Sequence, residues 1–143
     1  MALKFFPNRG DVLICDFSGF NEPEMTKRRP VVVMTPRRRY GPGLVTVVPL
    51  STTAPDPVQI WNTQLFIPMP APYDKDACWV KGDMLYSVSF ERLNPFRAGK
   101  DSAGKRIYET VSLSPEQLAE VEKCVLNGLG FFDQAKEIEA KPF

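Results

Sequence analysis

Residues 30–50 read PVVVMTPRRRYGPGLVTVVPL, and this stretch decides the fold class. Two runs rich in valine and leucine, Pro30 to Thr35 and Leu44 to Leu50, stand on either side of a segment of arginine, glycine and proline. Short runs of β-branched and aliphatic residues bounded by turn-forming residues are typical of strands. The stretch therefore predicts two sheet strands separated by a basic loop.

Further short apolar runs occur on both sides of this stretch. Asp11 to Phe17 is similar to the two central runs, and the other candidate strands are Gln64 to Ile67, Cys78 to Val80, Met84 to Val88 and Arg106 to Val111. Many short strands with long proline-rich connections favour a compact, strongly curved sheet or a small barrel over parallel βαβ units. The loops 53–62 and 68–76 are long for so small a domain, which makes them candidates for gating a groove.

A helix is predicted from Ser114 onward. Ser114 suits the N-cap, Pro115 the first helical position, and Gln117 completes a capping box. Apolar residues then recur at spacings of three and four, which predicts a stripe packed in the core: Leu118, Val121, Val125, Leu129 and Phe132. Because Gly128 and Gly130 are expected near the end of this helix, we divide the chain into a single domain, residues 1–132, and a charged C-terminal tail, residues 133–143.

The composition excludes several kinds of catalytic site. The chain has 143 residues, of which 43% are hydrophobic, so it suits one domain, and it contains no histidine. That absence excludes Ser-His-Asp triads and two-histidine ribonuclease chemistry, and it removes the usual base for a cysteine nucleophile. Since Cys15, Cys78 and Cys124 lie far apart, we expect reduced, mostly buried thiols and neither a disulfide nor a metal site. Without a membrane-span or signal-peptide pattern, we expect a soluble, cytoplasmic protein that needs no cofactor.

The net charge of +1 conceals an uneven distribution. Residues 1–40 contain eight Lys and Arg against four Asp and Glu, whereas residues 113–143 contain three against six. Most of the excess positive charge in residues 1–40 lies in two clusters, Lys27-Arg28-Arg29 and Arg37-Arg38-Arg39. These clusters would suit the binding of phosphate groups, although a solvated loop face has the same pattern. Aromatic rings near such loops can stack unpaired bases, for which Tyr40 and Trp61 are the candidates. Phe66 and Trp79 are expected in the core.

Four short motifs occur in a recognisable order. Gly10-Asp11 opens the first strand, Glu24 precedes Arg29-Pro30, Pro49-Leu50-Ser51 ends the third strand, and Lys81-Gly82-Asp83 comes ahead of another strand. This ordered set resembles the MazF/PemK/Kid family of type II toxins, over roughly residues 9–93. The resemblance implies an SH3-like, curved antiparallel β-barrel with a C-terminal helix packed outside. It also implies a homodimeric, metal-independent endoribonuclease that cleaves single-stranded RNA at specific sequences and is neutralised by a cognate antitoxin.

The resemblance gives roles to four residues in a cleavage that begins with the ribose 2′-hydroxyl. Such a reaction needs a base for that hydroxyl, an acid for the departing 5′-oxygen and donors for the charged phosphorane. Arg29 would clamp the phosphate, and Ser51 would donate its hydroxyl, although a shift of one residue would give that role to Thr52. Asp83 would accept the 2′-hydroxyl proton, while Lys81, on the same side of a strand, would stabilise charge or protonate the leaving oxygen. The RNA-binding residues would be Glu24, Lys27, Arg28, Arg37, Arg38, Arg39, Tyr40, Thr52 and Trp61.

Two other functions stay open. Met84 and Tyr86 stand where the family commonly has glutamine and arginine, which leaves the cut sequence and the fit to an antitoxin undetermined. A gyrase-binding toxin of the CcdB kind would share the barrel, but the sequence reads Glu-Ala-Lys-Pro-Phe at its end where that family has Trp-Gly-Ile. A non-catalytic RNA- or protein-binding barrel would need none of the four catalytic residues.

Overall fold

The computed structural model of the protein describes residue 3 and residues 6–38, 41, 43–75 and 77–138. Within these ranges the strands are β1 (Asp11–Asp16), β2 (Arg28–Val33), β3 (Leu44–Ser51), β4 (Asn62–Leu65), β5 (Cys78–Lys81), β6 (Tyr86–Ser89), β7 (Leu93–Asn94), β8 (Phe96–Lys100), β9 (Arg106–Glu109) and β10 (Val111–Ser112). The helices are α1 (Pro115–Gly128) and α2 (Phe132–Lys136), and a 3-10 turn, Phe90–Arg92, joins β6 to β7. Among the described helices, none is long and apolar enough to cross a membrane.

The main sheet is antiparallel and has the path β10-β1-β2-β3-β5-β4. β3 pairs with β6 along its first half, with β2 in the middle and with β5 at its last two residues. β7 pairs with β1, so the short connection between β6 and β7 links the two ends of the central three strands. The sheet is thereby curled into a half-barrel with α1 packed outside it. The prediction of a mainly β, curved antiparallel fold with a C-terminal helix is confirmed.

Two hydrophobic clusters lie on opposite faces of the central strands. Val31 and Val33 of β2 belong to the cluster inside the half-barrel, whereas Val32 belongs to the cluster that contains Leu118 and Val121 of α1. Successive side chains of a strand point to opposite faces, so both faces of β2 are buried. This double burial explains why the central strands are continuous valine runs rather than alternations of apolar and polar residues.

The start of α1 is as predicted, but its apolar stripe is shorter. The Ser114 hydroxyl oxygen accepts from the Gln117 N–H at 3.1 Å, and the Gln117 carboxamide oxygen accepts from the Ser114 N–H at 3.0 Å, which confirms the capping box. The prediction that Leu129 and Phe132 belong to the core is wrong, since they are 53% and 48% exposed. Because α1 ends at Gly128, residues beyond it no longer follow its buried face.

Two aromatic residues are more exposed than the sequence predicted. The prediction of core positions for Phe66 and Trp79 is wrong: Phe66 is 65% exposed, and Trp79 is half-buried. Both stand between buried neighbours, and alternation along an extended chain turns them to the opposite side.

The strands β7 and β8 were not predicted, because residues 93–100 contain proline and glycine and no alternating pattern. The division of the chain after residue 132 falls within α2 and stays a prediction.

The prediction of buried, unpaired thiols is confirmed for all three cysteines. Burial raises the pKa of Cys15 and Cys124 to about 12 and the pKa of Cys78 to about 11. A thiol is a strong nucleophile only as its thiolate. At neutral pH these side chains are therefore inert components of the core.

The capping box makes a measurable contribution to stability. We expect Ser114→Ala to lower the free energy of unfolding by about 1 kcal/mol, because the N–H of Gln117 loses its acceptor. The measurement is urea unfolding followed by circular dichroism. Ser102→Ala, an exposed serine in the turn between β8 and β9, is the matched control and should leave the unfolding midpoint unchanged. Equal midpoints for the two variants would contradict the prediction.

Candidate active site

The strand registers bring four polar or aromatic residues to one face of the sheet. The register of β2 with β3, continued by two residues beyond its last pair, sets Arg29 opposite Ser51. Ser51 pairs with Trp79 of β5, and Lys81 lies two residues further along that strand. Opposed residues of antiparallel strands, like alternate residues of one strand, share a face. Arg29, Ser51, Trp79 and Lys81 therefore lie on the face turned away from the cluster under α1.

Arg29 is a half-buried arginine near the start of β2. Its Nε is buried and has no hydrogen-bond partner, and among the described residues no carboxylate forms an ion pair with its guanidinium. It lines a depression of about 310 Å³ together with Glu24 and Lys27. A guanidinium that has no carboxylate partner and lines an open depression suits an anion from outside the chain.

Burial distinguishes Ser51 from Thr52. Ser51 is 7% exposed at the end of β3, whereas Thr52 is exposed beyond the strand. The Ser51 hydroxyl oxygen accepts from the Thr53 N–H at 3.1 Å, which leaves its own proton for another acceptor. Of the two hydroxyls, that of Ser51 is therefore on the face that carries Arg29.

Lys81 and Asp83 belong to a tight turn at the end of β5. Lys81 is the last residue of the strand, and its carbonyl oxygen accepts from the Met84 N–H at 3.0 Å. The prediction that Lys81 and Asp83 alternate along one strand is wrong, because Asp83 lies exposed inside the turn. The Gly82 N–H donates to the carbonyl oxygen of Trp61 at 2.9 Å, which ties the turn to the loop before β4.

Gly82 is required by a close approach of two backbones. A Cβ added to Gly82 would lie 2.5 Å from the carbonyl oxygen of Cys124 in α1 and 2.6 Å from that of Trp61. From the other side, a Cβ on Gly128 would lie 2.6 Å from the carbonyl oxygen of Gly82. The turn that carries Lys81 and Asp83 is thus seated directly on α1, which positions both side chains.

Two residues without a predicted role hold the loop between β1 and β2. The Tyr86 hydroxyl oxygen accepts from the Met25 N–H at 2.9 Å. Arg92 donates to the carbonyl oxygens of Asp16 and Ser18 at 2.9 and 2.8 Å. In the sequence, Tyr86 stands out only as a departure from the family pattern, and the spacing of aromatic residue, any residue and arginine in Phe90-Glu91-Arg92 is the signal that could have indicated Arg92. Both residues fix the loop that leads into Arg29.

Two carboxylates, Glu24 of the loop and Asp83 of the β5 turn, affect the pKa of Tyr86. Burial raises the pKa of Tyr86, and the negative charges of Glu24 and Asp83 raise it further. The Glu24 carboxylate also accepts from the Asn21 N–H at 3.1 Å, which holds its side chain within the loop.

The three consecutive basic residues of the first cluster have different surroundings. Lys27 joins Arg29 at the depression, whereas Arg28 lines a separate cleft of about 630 Å³. Since Arg28 and Arg29 are adjacent in β2, their side chains point to opposite faces of the strand. The basic run is therefore divided between two sites.

The remaining predicted RNA-binding residues are further apart. Arg37 is exposed, and Arg38 lines a third groove, next to α1. Arg39 and Tyr40 lie outside the described residues. Trp61 is half-buried and contacts the β5 turn through its carbonyl oxygen, as described above.

One known protein family matches most of this chain. A family model described as the PemK-like, MazF-like toxin of type II toxin-antitoxin systems matches residues 8–128. The chain belongs to this family. The matched range ends with α1 and includes Arg29, Ser51, Lys81 and Asp83, so the family resemblance predicted from the sequence is confirmed.

Relatives of this PemK/MazF-family chain include proteins of similar length. It is 27% identical to the uncharacterized protein YifN of Escherichia coli (strain K12), over 90% of this chain and 95% of YifN. A crystal structure of MazF from Deinococcus radiodurans is 20% identical with a TM-score of 0.60, covering 89% of this chain and 99% of that one. An endoribonuclease from a mycobacterial species, solved with its cognate antitoxin, is 18% identical with a TM-score of 0.55, covering 87% and 95%. These structures share the fold of the chain.

The site of this PemK/MazF-family chain offers a permanent cation, an ammonium group, two carboxylates and a hydroxyl, but no imidazole. In the described ranges, no three His, Cys, Asp or Glu side chains are grouped to hold a metal ion. Acid–base chemistry at the site would therefore depend on the carboxylates and on Lys81.

The contact of Gly82 with α1 is a testable requirement of the site. We expect Gly82→Ala to lower the free energy of unfolding by at least about 2 kcal/mol, because a methyl group cannot fit between two backbones. Gly128→Ala should act in the same direction. The measurement is urea unfolding, with Gly104→Ala as the control, because a Cβ there meets nothing within 4 Å and costs only the strain of a left-handed backbone. A smaller loss for Gly82→Ala than for Gly104→Ala would contradict the assignment.

Proposed function

We propose that this member of the PemK/MazF family is a metal-independent endoribonuclease that cuts single-stranded RNA at specific sequences, and that a cognate antitoxin neutralises it. The observation that carries the proposal is the half-buried Arg29, whose Nε lacks an acceptor, on the same sheet face as Ser51 and Lys81. A toxin that only bound another protein would not need an unpaired guanidinium at a small open depression. A phosphodiester would supply an anionic partner for the guanidinium.

Arg29 binds the phosphate of the scissile bond in this proposal. A guanidinium is planar, stays charged at neutral pH and can donate to two phosphate oxygens at once. The Ser51 hydroxyl donates to a phosphorane oxygen from the opposite strand. Both donors stabilise the negative charge that increases as the 2′-oxygen attacks phosphorus.

Asp83 and Lys81 carry the protons. Asp83 accepts the proton of the 2′-hydroxyl as the bond between the 2′-oxygen and phosphorus forms. The bond between phosphorus and the 5′-oxygen breaks, and that oxygen takes a proton from the Lys81 ammonium group. The products are a 2′,3′-cyclic phosphate and a 5′-hydroxyl. No water is consumed in this step, and proton exchange with solvent restores both side chains.

Glu24 is the alternative base because it shares the depression with Arg29. It reaches the site from a loop held by Tyr86 and Arg92, whereas Asp83 reaches it from the turn seated on α1. The backbone packing under Asp83 favours it as the base, since a proton acceptor must be held at a defined distance from the hydroxyl. Glu24 is then a binding residue that orders the approaching RNA.

Dimerisation and antitoxin binding are proposed by analogy with the family. The mycobacterial relative was solved with its cognate antitoxin, which supports a similar partner for this chain. A group of exposed apolar side chains after α1, Leu129, Phe131 and Phe132, supports association with a second chain, because such groups are usually covered.

The first test of the proposal is cleavage of a long single-stranded RNA in EDTA. We expect discrete cuts by the wild type, with cyclic-phosphate and 5′-hydroxyl ends, and a loss of rate of roughly 100-fold or more for Arg29→Ala and for Asp83→Asn. Lys136→Ala and Asp74→Asn, which change exposed residues away from the site, are the matched controls and should cut at the wild-type rate. Glu24→Gln should lose less than Asp83→Asn if Asp83 is the base.

The absence of RNA cleavage would also discriminate between the candidate functions. No cutting of any RNA by well-folded wild type would refute the ribonuclease proposal. Inhibition of DNA gyrase by such a protein would then favour a CcdB-like toxin, and tight RNA binding without cutting would favour a passive binding barrel.

The second test separates Ser51 from Thr52. We expect Ser51→Ala to lower the cleavage rate by about 100-fold because a donor to the phosphorane is lost. Thr52→Ala should change it little, since Thr52 lies outside the shared face. Ser51→Thr retains a hydroxyl and should restore most of the rate. A larger loss for Thr52→Ala than for Ser51→Ala would reverse the assignment.

A further inference from the structure

A cleft beside β8 and β9 is separate from the candidate active site. We call it the hairpin cleft, because β8 and β9, which form a two-stranded sheet of their own, make one of its walls. It has a volume of about 630 Å³ and shares no lining residue with the depression at Arg29. Arg28 lines it from β2, and the loop at Tyr73 closes it from the other side. Its volume is that of an ordinary ligand site, roughly 300–1,000 Å³.

The hairpin cleft is electropositive. Arg28, Arg97 and Arg106 line it, and none of its described lining residues is acidic. Among the described residues, none of these three guanidinium groups takes part in an ion pair or a side-chain hydrogen bond. Asp16 lies opposite Arg28 in the ladder, but its carboxylate accepts from the Ser18 N–H at 2.9 Å. Three like charges around one cleft repel each other, and a bound anion would relieve that repulsion.

Aromatic rings lie among these arginines. Tyr73 and Phe96 make an edge-to-face contact with ring centroids 6.1 Å apart, and Phe96 is buried, so it forms the floor of the cleft. Tyr108 pairs with Arg97 across the hairpin, which sets a ring and a guanidinium on the same face. Tyr73 and Tyr108 are both half-buried and so offer part of each ring to a ligand. Arginines that bind phosphates, together with rings that stack unpaired bases, are the usual elements of a single-strand binding surface.

The position of the hairpin cleft relative to Arg29 gives it a role. Arg28 and Arg29 are consecutive residues of β2 with side chains on opposite faces, so only the exposed start of that strand separates the cleft from the depression. An RNA strand whose scissile phosphate lies at Arg29 can continue around the start of β2 to Arg28. Arg97 and Arg106 are the next basic groups inside the cleft.

We propose that the hairpin cleft binds single-stranded RNA at nucleotides that flank the cleavage point, with Arg28, Arg97 and Arg106 on phosphates and Tyr73 and Tyr108 against bases. This inference rests on the proposed ribonuclease function. An acidic peptide is the competing occupant. The two half-exposed tyrosine rings favour the nucleic acid, since a carboxylate-rich chain has no planar group to stack on them.

The test measures the salt dependence of RNA binding. The probe is a fluorescein-labelled 20-nucleotide RNA of randomised sequence with 2′-O-methyl groups, which cannot be cut by attack of a 2′-hydroxyl. Each phosphate contact to a single strand contributes about 0.7 to the slope of log K against log salt concentration. The double variant Arg97→Gln/Arg106→Gln should therefore lower the slope by about 1.4 and weaken binding by about tenfold at moderate salt. The control Lys105→Gln/Lys136→Gln removes the same charge from residues that do not line the cleft, and its slope should equal that of the wild type.

A second pair of measurements separates stacking and cleavage. Tyr108→Leu should weaken binding without changing the salt slope, because a ring contact releases no counterion. In cleavage assays Arg97→Gln/Arg106→Gln should raise KM and leave kcat unchanged, since the cleft does not touch the reacting atoms.

The outcomes distinguish this inference from the ribonuclease proposal. Cleavage by the wild type together with equal salt slopes for the arginine and lysine double variants would overturn the proposed RNA-binding role of the hairpin cleft. The ribonuclease proposal would be unaffected by that result. The same would follow if the arginine variant lost binding to a poly-glutamate probe but kept its affinity for RNA. A wild type that neither binds nor cuts RNA would overturn both.

Discussion

The central strands β1, β2 and β3 are buried on both faces. The cluster inside the half-barrel covers one face, and the cluster under α1 covers the other. A strand enclosed in this way can hold a charged or hydroxyl side chain only where it leaves the core, because burial without a partner is costly. Arg29 stands near the first residue of β2 and Ser51 at the last residue of β3. The antiparallel register brings these two strand ends together, so the polar site lies where hydrophobic packing stops.

The side chains at that site are held by contacts that involve none of the proposed reacting groups. Gly82 and Gly128 let the β5 turn rest on α1, while Tyr86 and Arg92 hold the loop before β2. A site without histidine depends strongly on such support, since carboxylates and amines transfer protons efficiently only from well-defined positions. The core of this protein therefore bears directly on its proposed chemistry.

β2 also lies between the depression at Arg29 and the hairpin cleft. Its alternation directs Arg29 to the depression and Arg28 to the hairpin cleft, so one short strand contributes to both proposed binding surfaces. The β8–β9 hairpin is a separate two-stranded sheet that adds Arg97 and Arg106 beside the half-barrel. In these proposals the half-barrel carries the reacting groups, and the hairpin binds a further part of the RNA substrate.

The sequence by itself determined the features that depend on neighbouring residues. The valine runs of β2 and β3, the capping box of Ser114 and Gln117, and the ordered family motifs could all be recognised in a single chain, because local periodicity and spacing produce them. Only the tertiary structure decided which of Ser51 and Thr52 is buried, where Phe66 points, and that Arg28 and Arg29 serve different surfaces. Those outcomes depend on strand register and on close contacts such as that of Gly82 with Gly128, which join residues far apart in the chain and leave no local pattern.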